Sequence, residues 1–185
     1  MMLLKHKIAR AIRSFVTRND GTASAEVALL LPAFMFIFMM SFDAGRISLN
    51  HVMLERGVDL TVRKIQTGNM TDPTLENIKQ EICDNARIIP DCTGSLQIEM
   101  IVMDMRNWDA DALGGTARCI DRGQDVQPAV RFTNGGNNQL MVLRVCSLFD
   151  PELPGGALGR QMAENSGLGG YALSASAAFV MEPFQ

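Results

Sequence analysis

The sequence predicts an α+β protein in which a long N-terminal transmembrane helix continues into an extracytoplasmic domain. We expect that domain to hold a second helix and an antiparallel sheet of about four strands. Three patterns support this fold class: an uncharged apolar run, a helical apolar periodicity directly after it, and a period of two farther along. The predicted organisation is a basic leader at 1–21, a transmembrane helix at 22–46 and the extracytoplasmic domain at 47–185.

The apolar run extends from Val27 to Phe42 and contains no charged residue. At about 1.5 Å rise per residue it covers roughly 24 Å of helix, slightly less than the ~30 Å core of a bilayer. Including the residues at 23–25 and 44–47 makes the helix long enough, with Glu26 and Asp43 near the two faces of the membrane.

Two other interpretations of this run fit less well. Cleavage of a secretory signal peptide after Ala44 would place Phe42 where a small residue is required. A buried core helix of a soluble protein does not account for the basic flank or for the uninterrupted apolar composition.

The charge distribution predicts orientation and argues against nucleic-acid binding. Five basic residues against one aspartate give the leader a charge of +4, which leaves −7 for the rest of a chain whose total is −3. Nucleic-acid binding requires basic charge on the folded domain, whereas a basic segment before an apolar helix favours the cytoplasmic side of a membrane. These leader residues are Lys5, Lys7, Arg10, Arg13, Arg18 and Asp20.

A single carboxylate lies at the start of the apolar helix. The stretch Asp20-Gly-Thr-Ala-Ser-Ala-Glu26 places a glycine and small residues before Glu26. Charged residues inside membranes are costly and usually functional. If the chain is cut after Gly21, the new ammonium of Thr22 lies one helical turn from Glu26.

These residues resemble the start of the TadE-like proteins, which are pseudopilins of tight-adherence (Tad or Flp-type) pili. The resemblance rests on Gly21-Thr-Ala-Ser-Ala-Glu26, on the following Val-Ala-Leu-Leu-Leu-Pro32, and on Asp43-Ala-Gly-Arg46. The segment Met181-Glu-Pro-Phe184 is similar to the family's Asn-Glu-Pro-Phe, with Met181 as the departure.

The resemblance implies cleavage by a prepilin peptidase between Gly21 and Thr22, and an assembly role for Glu26. It implies a minor pilin that takes part in pilus assembly and adhesion, in the bacterial inner membrane or in the pilus itself. The implied partners are other pilins, pilus assembly proteins, the peptidase and membrane lipid. An uncleaved, single-pass anchored binding domain is the alternative.

Beyond the apolar run, a helical face is predicted from Ile47 through Leu54, Val58 and Val62 to Ile65, with Thr67-Gly68-Asn69 as the stop. A second helix is expected to begin at Thr71-Asp72-Pro73 and to end before Pro90. Strands are predicted around Leu96–Val102, Ala129–Phe132, Gln139–Cys146 and Tyr171–Met181, with the second and third joined as a hairpin through Asn-Gly-Gly-Asn. The glycine-rich stretches 155–159 and 167–170 are expected to be loops.

Four cysteines follow the apolar run, and an even number in an exported domain favours two disulfides over a zinc site. Four cysteines allow three connectivities. We favour Cys83–Cys92, which closes a short loop, and Cys119–Cys146, which ties an irregular region to a strand.

The sequence contains none of the common catalytic or nucleotide-binding motifs, so we expect no enzyme activity and no cofactor. The two histidines are His6 and His51, and His6 lies in the expected leader. A tethered hydrolase that uses carboxylates therefore has little support. We interpret Asp104, Asp109 and Asp111 as a solvated acidic loop, because their spacing lacks the alternation of a regular calcium loop.

Overall fold

The computed structural model describes residues 22–70, 73–107, 115–127, 129–151 and 157–182. The leader expected at 1–21 lies outside these residues. The chain divides into two compact units, Met1–Met39 and Met40–Gln185. The described part of the first unit is helical throughout, and the second unit holds the α+β domain.

Helix α1 extends over Thr22–Gln66 and ends at the stop that the sequence predicts. Gly68 adopts a positive φ of 70°. Its amide donates to the carbonyl of Ile65 at 3.1 Å, and the amide of Asn69 donates to Lys64 at 3.0 Å. These bonds satisfy carbonyls at the end of the helix that have no partner within it.

The second helix begins two residues after the predicted start. Helix α2 extends over Leu75–Asn85, and the Thr74 hydroxyl caps it by accepting from the Asn77 amide at 3.3 Å. Pro73 therefore precedes the cap and does not occupy the first turn. A short helix α3, Cys92–Ser95, leads into the sheet.

Helices α1 and α2 approach closely at a glycine. A Cβ atom on Gly57 would lie 2.9 Å from the Ile82 carbonyl oxygen and 3.1 Å from the Ala86 Cβ. Because the carbonyl belongs to the backbone, it cannot move aside as a flexible side chain would. Gly57 thus permits the contact that buries Ile78 and Ile82 of α2.

The described residues form a three-stranded antiparallel sheet in the order β1-β2-β3. The strands are β1, Leu96–Met103; β2, Leu140–Phe149; and β3, Tyr171–Val180. β1 pairs with β2 from Leu96↔Ser147 to Met103↔Leu140, and β2 pairs with β3 from Leu140↔Val180 to Phe149↔Tyr171. The α+β class, the long helix, the second helix and the antiparallel sheet are confirmed.

The segment Ala129–Phe132 does not form the predicted hairpin with the following strand. Its contribution is one parallel bridge, in which Phe132 lies beside Met100 of β1. The physical reason is that a strand has two edges, and β1 and β3 occupy both edges of β2. The free edge of β1 remains available, and there Met100 donates to Arg131 and accepts from Thr133.

A further helix, α4, extends over Ala157–Ser166 in the connection between β2 and β3. The sequence predicted a loop at 155–159, so the prediction is wrong for 157–159, while residues 155–156 lie outside the described part. The second predicted loop, 167–170, has no regular structure.

One face of the sheet packs against α1 and α2 and forms the main core. The helical face predicted for α1 is confirmed, because Leu54, Val58, Val62 and Ile65 are all buried there. The opposite face of the sheet is also buried over β1 and β2, although it carries Gln97, Glu99 and Arg144. The sequence pattern predicted a half-buried β1, whereas only Val102 of this strand is exposed.

Candidate functional site: the N-terminal helix and the disulfide-bonded domain

The N-terminal part of α1 presents apolar side chains to its surroundings in every direction. Leu29 is 79% exposed and Phe34 is 61% exposed, and the residues between 24 and 39 are all exposed. A soluble domain rarely exposes a continuous apolar surface of this size. Among the described residues, this is the one helix that is long enough and apolar enough to cross a membrane. The segment is therefore consistent with a single-pass membrane protein.

Two features of this apolar part suit a lipid environment. Pro32 lies inside the helix and has no amide hydrogen to donate to the preceding turn, a defect that membrane helices tolerate. Phe34 and Phe38 stack along one side with ring centroids 6.5 Å apart. The segment is helical from residue 22 onward despite Pro32.

The residues predicted for cleavage and assembly fall at the beginning of α1. Gly21 lies outside the described residues, and Thr22 is the first residue of the helix. Glu26 follows one turn later and is exposed. In a helix with 3.6 residues per turn, positions 22 and 26 lie on the same side.

Asp43 is a residue whose position the sequence did not reveal. The sequence predicts a position near a membrane face, and the structure adds that the residue is buried, with only 6% of its surface exposed. Its Oδ2 accepts a hydrogen bond from the amide of Gly159, near the start of α4, at 3.0 Å. A signal for this burial was present, since Asp43 precedes Ile47 by four residues and so lies on the helical face that leads into the core.

The two disulfides are Cys83–Cys92 and Cys119–Cys146, the pairs favoured from the sequence. Their Cα atoms lie 5.7 Å and 5.1 Å apart, respectively. The first joins the end of α2 to α3. The second joins the segment 115–127 to β2 and thereby holds that segment over the outer face of the sheet.

Two of the buried polar residues on that outer face form an ion pair. Arg144 Nη1 lies 3.5 Å from Glu99 Oε2, and the two residues are directly paired across β1 and β2. Arg144 Nη2 also donates to the Gly115 carbonyl at 2.5 Å. The guanidinium thus links the sheet to the covering segment.

The acidic residues around 104–111 lie only partly within the described chain. Asp104 is exposed, and its Oδ1 accepts from the Arg106 amide at 2.8 Å. Asp109 and Asp111 lie outside the described residues. Within the residues that the structure describes, no cluster of three or more acidic, histidine or cysteine side chains could hold a metal ion.

An ion pair joins the ends of α1 and α2. Lys64 Nζ lies 2.5 Å from Glu81 Oε1, and Asn85 donates to the same carboxylate oxygen at 2.8 Å. The hydrogen bond from Lys64 holds the pKa of Glu81 below its ordinary value of 4.5, and the bond from Asn85 acts in the same direction. Partial burial opposes this shift but does not reverse it.

Together these features define a disulfide-bonded α+β domain that follows one apolar helix capable of spanning a membrane. Residues 21–63 match the family model described as TadE-like protein, which confirms the resemblance seen in the sequence. The match begins at Gly21 and extends past Asp43 to Arg63 of α1. It suggests a protein associated with Tad pili. No curated protein and no solved structure matches the chain.

Proposed function

We propose that this chain is a minor pilin, or pseudopilin, of a Tad/Flp type IV pilus system. In this proposal a prepilin peptidase cuts between Gly21 and Thr22, and the mature protein takes part in pilus assembly and adhesion as a structural subunit without enzymatic activity. The observation that carries the proposal is the exposed apolar helix, which lies within the part of the chain, residues 21–63, that matches the TadE-like family model.

The proposed location is the bacterial inner membrane before assembly and the extracellular pilus after it. The basic leader remains cytoplasmic and the domain from 47 onward is periplasmic, as the distribution of basic residues favours. Two disulfides support an oxidising compartment for the domain. The partners are other pilins, assembly proteins, the peptidase and membrane lipid, and no nucleic acid.

Glu26 has a specific part in this proposal. After cleavage, the Thr22 ammonium and the Glu26 carboxylate lie one turn apart in a surround of exposed apolar side chains. Each charge alone would be uncompensated in lipid, whereas a pair offsets much of the cost of leaving water. The pairing can occur within a chain or between neighbouring chains, and in the second case a helix shifted by one turn would misplace both charges.

Mass spectrometry of the protein purified from its own cells tests the proposal. The mature chain should begin at Thr22 when the peptidase is present, and at Met1 when the peptidase gene is deleted. Gly21→Leu should block processing because a bulky side chain crowds the scissile bond, while Gly45→Leu, beyond the apolar run, should be processed normally. A mature chain that begins at Met1 in the wild type would contradict the proposal and support an uncleaved anchored domain.

A further inference from the structure

We propose that Asp43 and α4 form a clasp, in which the buried carboxylate of α1 holds a weak helix folded against the domain. Here the clasp means the Asp43 side chain together with Ala157–Ser166. Both parts belong to the unit Met40–Gln185. The inference concerns the folding of this domain and holds whether or not the chain is a pilin. The clasp opens by local unfolding of α4 while the sheet and the disulfides remain intact.

Helix α4 has little to stabilise it on its own. It is ten residues long, and isolated helices of this length are marginal in water. Its first turn contains no acidic residue and includes Gly159, which lowers helix propensity. Gly159 is also its one fully buried residue, so α4 contributes no large apolar side chain to the centre of the core.

Asp43 supplies what the first turn lacks. The amides at the start of a helix have no partner within it, and they carry a partial positive charge. The Asp43 carboxylate accepts from the Gly159 amide at 3.0 Å and is itself 6% exposed. Hydrogen bonds to a charged, buried acceptor are among the stronger ones, so this contact contributes more than an ordinary surface cap.

Further contacts of α4 lie toward its C-terminal end. The Ser166 hydroxyl lies 2.8 Å from the carbonyl oxygen of Ala163 and 2.5 Å from that of Gly170, and can donate its one proton to either. Met162 and Ala163 are half-buried against the core. Asp43 is thus a buried partner of the N-terminal turn, where Ala157 and Leu158 are also half-buried, and loss of the carboxylate should loosen α4 at that end.

Hydrogen exchange of the full chain in detergent micelles, followed by mass spectrometry, tests the clasp. Asp43→Ala should accelerate exchange of the α4 amides by about 10-fold or more, the factor expected for a lost hydrogen bond to a buried charge. Asp43→Asn keeps an acceptor oxygen and loses the charge, so it should lie between. Asp59→Asn, at an exposed position of the same helix, is the matched control and should leave α4 unchanged.

A variant with the opposite effect strengthens the test. A Cβ on Gly159 would lie 3.5 Å from Asp43 Oδ1 and 3.6 Å from the Pro151 Cβ, which is ordinary contact. Gly159→Ala should therefore slow exchange of α4 by roughly 2- to 5-fold through its higher helix propensity. If Asp43→Ala does not accumulate in cells, Asp43→Asn and Gly159→Ala still decide the matter.

Two results would overturn the clasp. In one, α4 exchanges at the wild-type rate in both Asp43 variants, which would mean that the carboxylate does not hold the helix. In the other, β2 exchange rises by the same factor as α4 exchange, which would mean that α4 opens only when the whole domain unfolds.

Discussion

Removal of the Cys119–Cys146 disulfide should destabilise the domain more than removal of Cys83–Cys92. In the chain-entropy description, a crosslink stabilises by limiting the unfolded chain, and the effect grows with the length of the closed loop. The sequence separations are 27 and 9 residues. They correspond to about 3.6 kcal/mol for Cys119–Cys146 and about 2.6 kcal/mol for Cys83–Cys92.

The folded structure adds to this difference. Near Cys83–Cys92, the chain is also fixed by the buried side chains of Ile82, Ala86 and Ile89. Between 115 and 139, by contrast, none of the described residues is fully buried. That segment is therefore attached by the disulfide and by hydrogen bonds such as Arg144 to Gly115.

The variants are Cys119→Ala with Cys146→Ala, and Cys83→Ala with Cys92→Ala as the matched control. Pulse proteolysis of the full chain in micelles across a urea series measures the free energy of unfolding of the domain. Limited trypsin digestion without urea then reports the segment itself, which offers Arg118 and Arg122 as exposed cleavage sites. Only the first double variant should be cut there rapidly.

Equal loss of stability in the two double variants, or a larger loss in the Cys83–Cys92 variant, would contradict this expectation. Equally slow native cleavage after Arg118 in both variants would show that the disulfide is not what holds the segment. Non-reducing peptide mapping of the wild type checks the connectivity on which both expectations rest, and a Cys83–Cys119 peptide would contradict it.

Three further predictions follow from the helix and its charges. The Glu26→Ala variant should still insert into the membrane and be processed, but it should no longer co-purify with pilus partners. The control variant Glu55→Ala, changed at an exposed position of the same helix, should assemble normally. Normal assembly of Glu26→Ala would argue against the charge pair. A reporter that is active only in the periplasm should be active when fused after Gln185, and an expressed but inactive fusion would reverse the proposed orientation. Because Lys64 lowers the pKa of Glu81, the pair stabilises the fold above the ordinary value of 4.5 and loses this contribution as the pH falls through the lowered pKa. Lys64→Met should thus lower the free energy of unfolding by at most about 1 kcal/mol at neutral pH. This difference in stability from the wild type should disappear in acid, and a difference that is independent of pH would contradict the prediction.

Local patterns in the sequence were sufficient where neighbouring residues decide the structure. The stop after α1 depends on Gly68, whose positive φ suits glycine. The apolar face of α1 and the alternation in β1 depend on spacing alone, and both place Leu54 and Ile98 in the core. The Cys83–Cys92 pair follows from the short separation of the two cysteines, nine residues, which closes a local loop.

Local patterns failed where distant segments supply the partner. Phe132 has strand-like neighbours in the sequence, but both edges of β2 are taken, and it pairs with the outer edge of β1 instead. Glu99 alternates with apolar residues as an exposed side chain would, yet it is buried and forms an ion pair with Arg144 of the neighbouring strand. In α4, Gly159 favoured the prediction of a loop. The carboxylate that supports the helix lies 116 residues earlier in the chain, where a local pattern could not reveal it.

The boundary within α1 illustrates how one residue can satisfy two opposing requirements. Phe42 is 50% exposed and ends the apolar run, while Asp43 is the first buried residue of the described helix. An apolar residue at 43 would extend the apolar run toward Arg46, the next charged residue of the helix, and would remove the charge that lies directly at the end of the run. An unpartnered charge there would be costly to bury in the domain. A carboxylate that binds the N-terminal turn of α4 avoids both problems, because it resists entry into lipid and is compensated once the domain has folded.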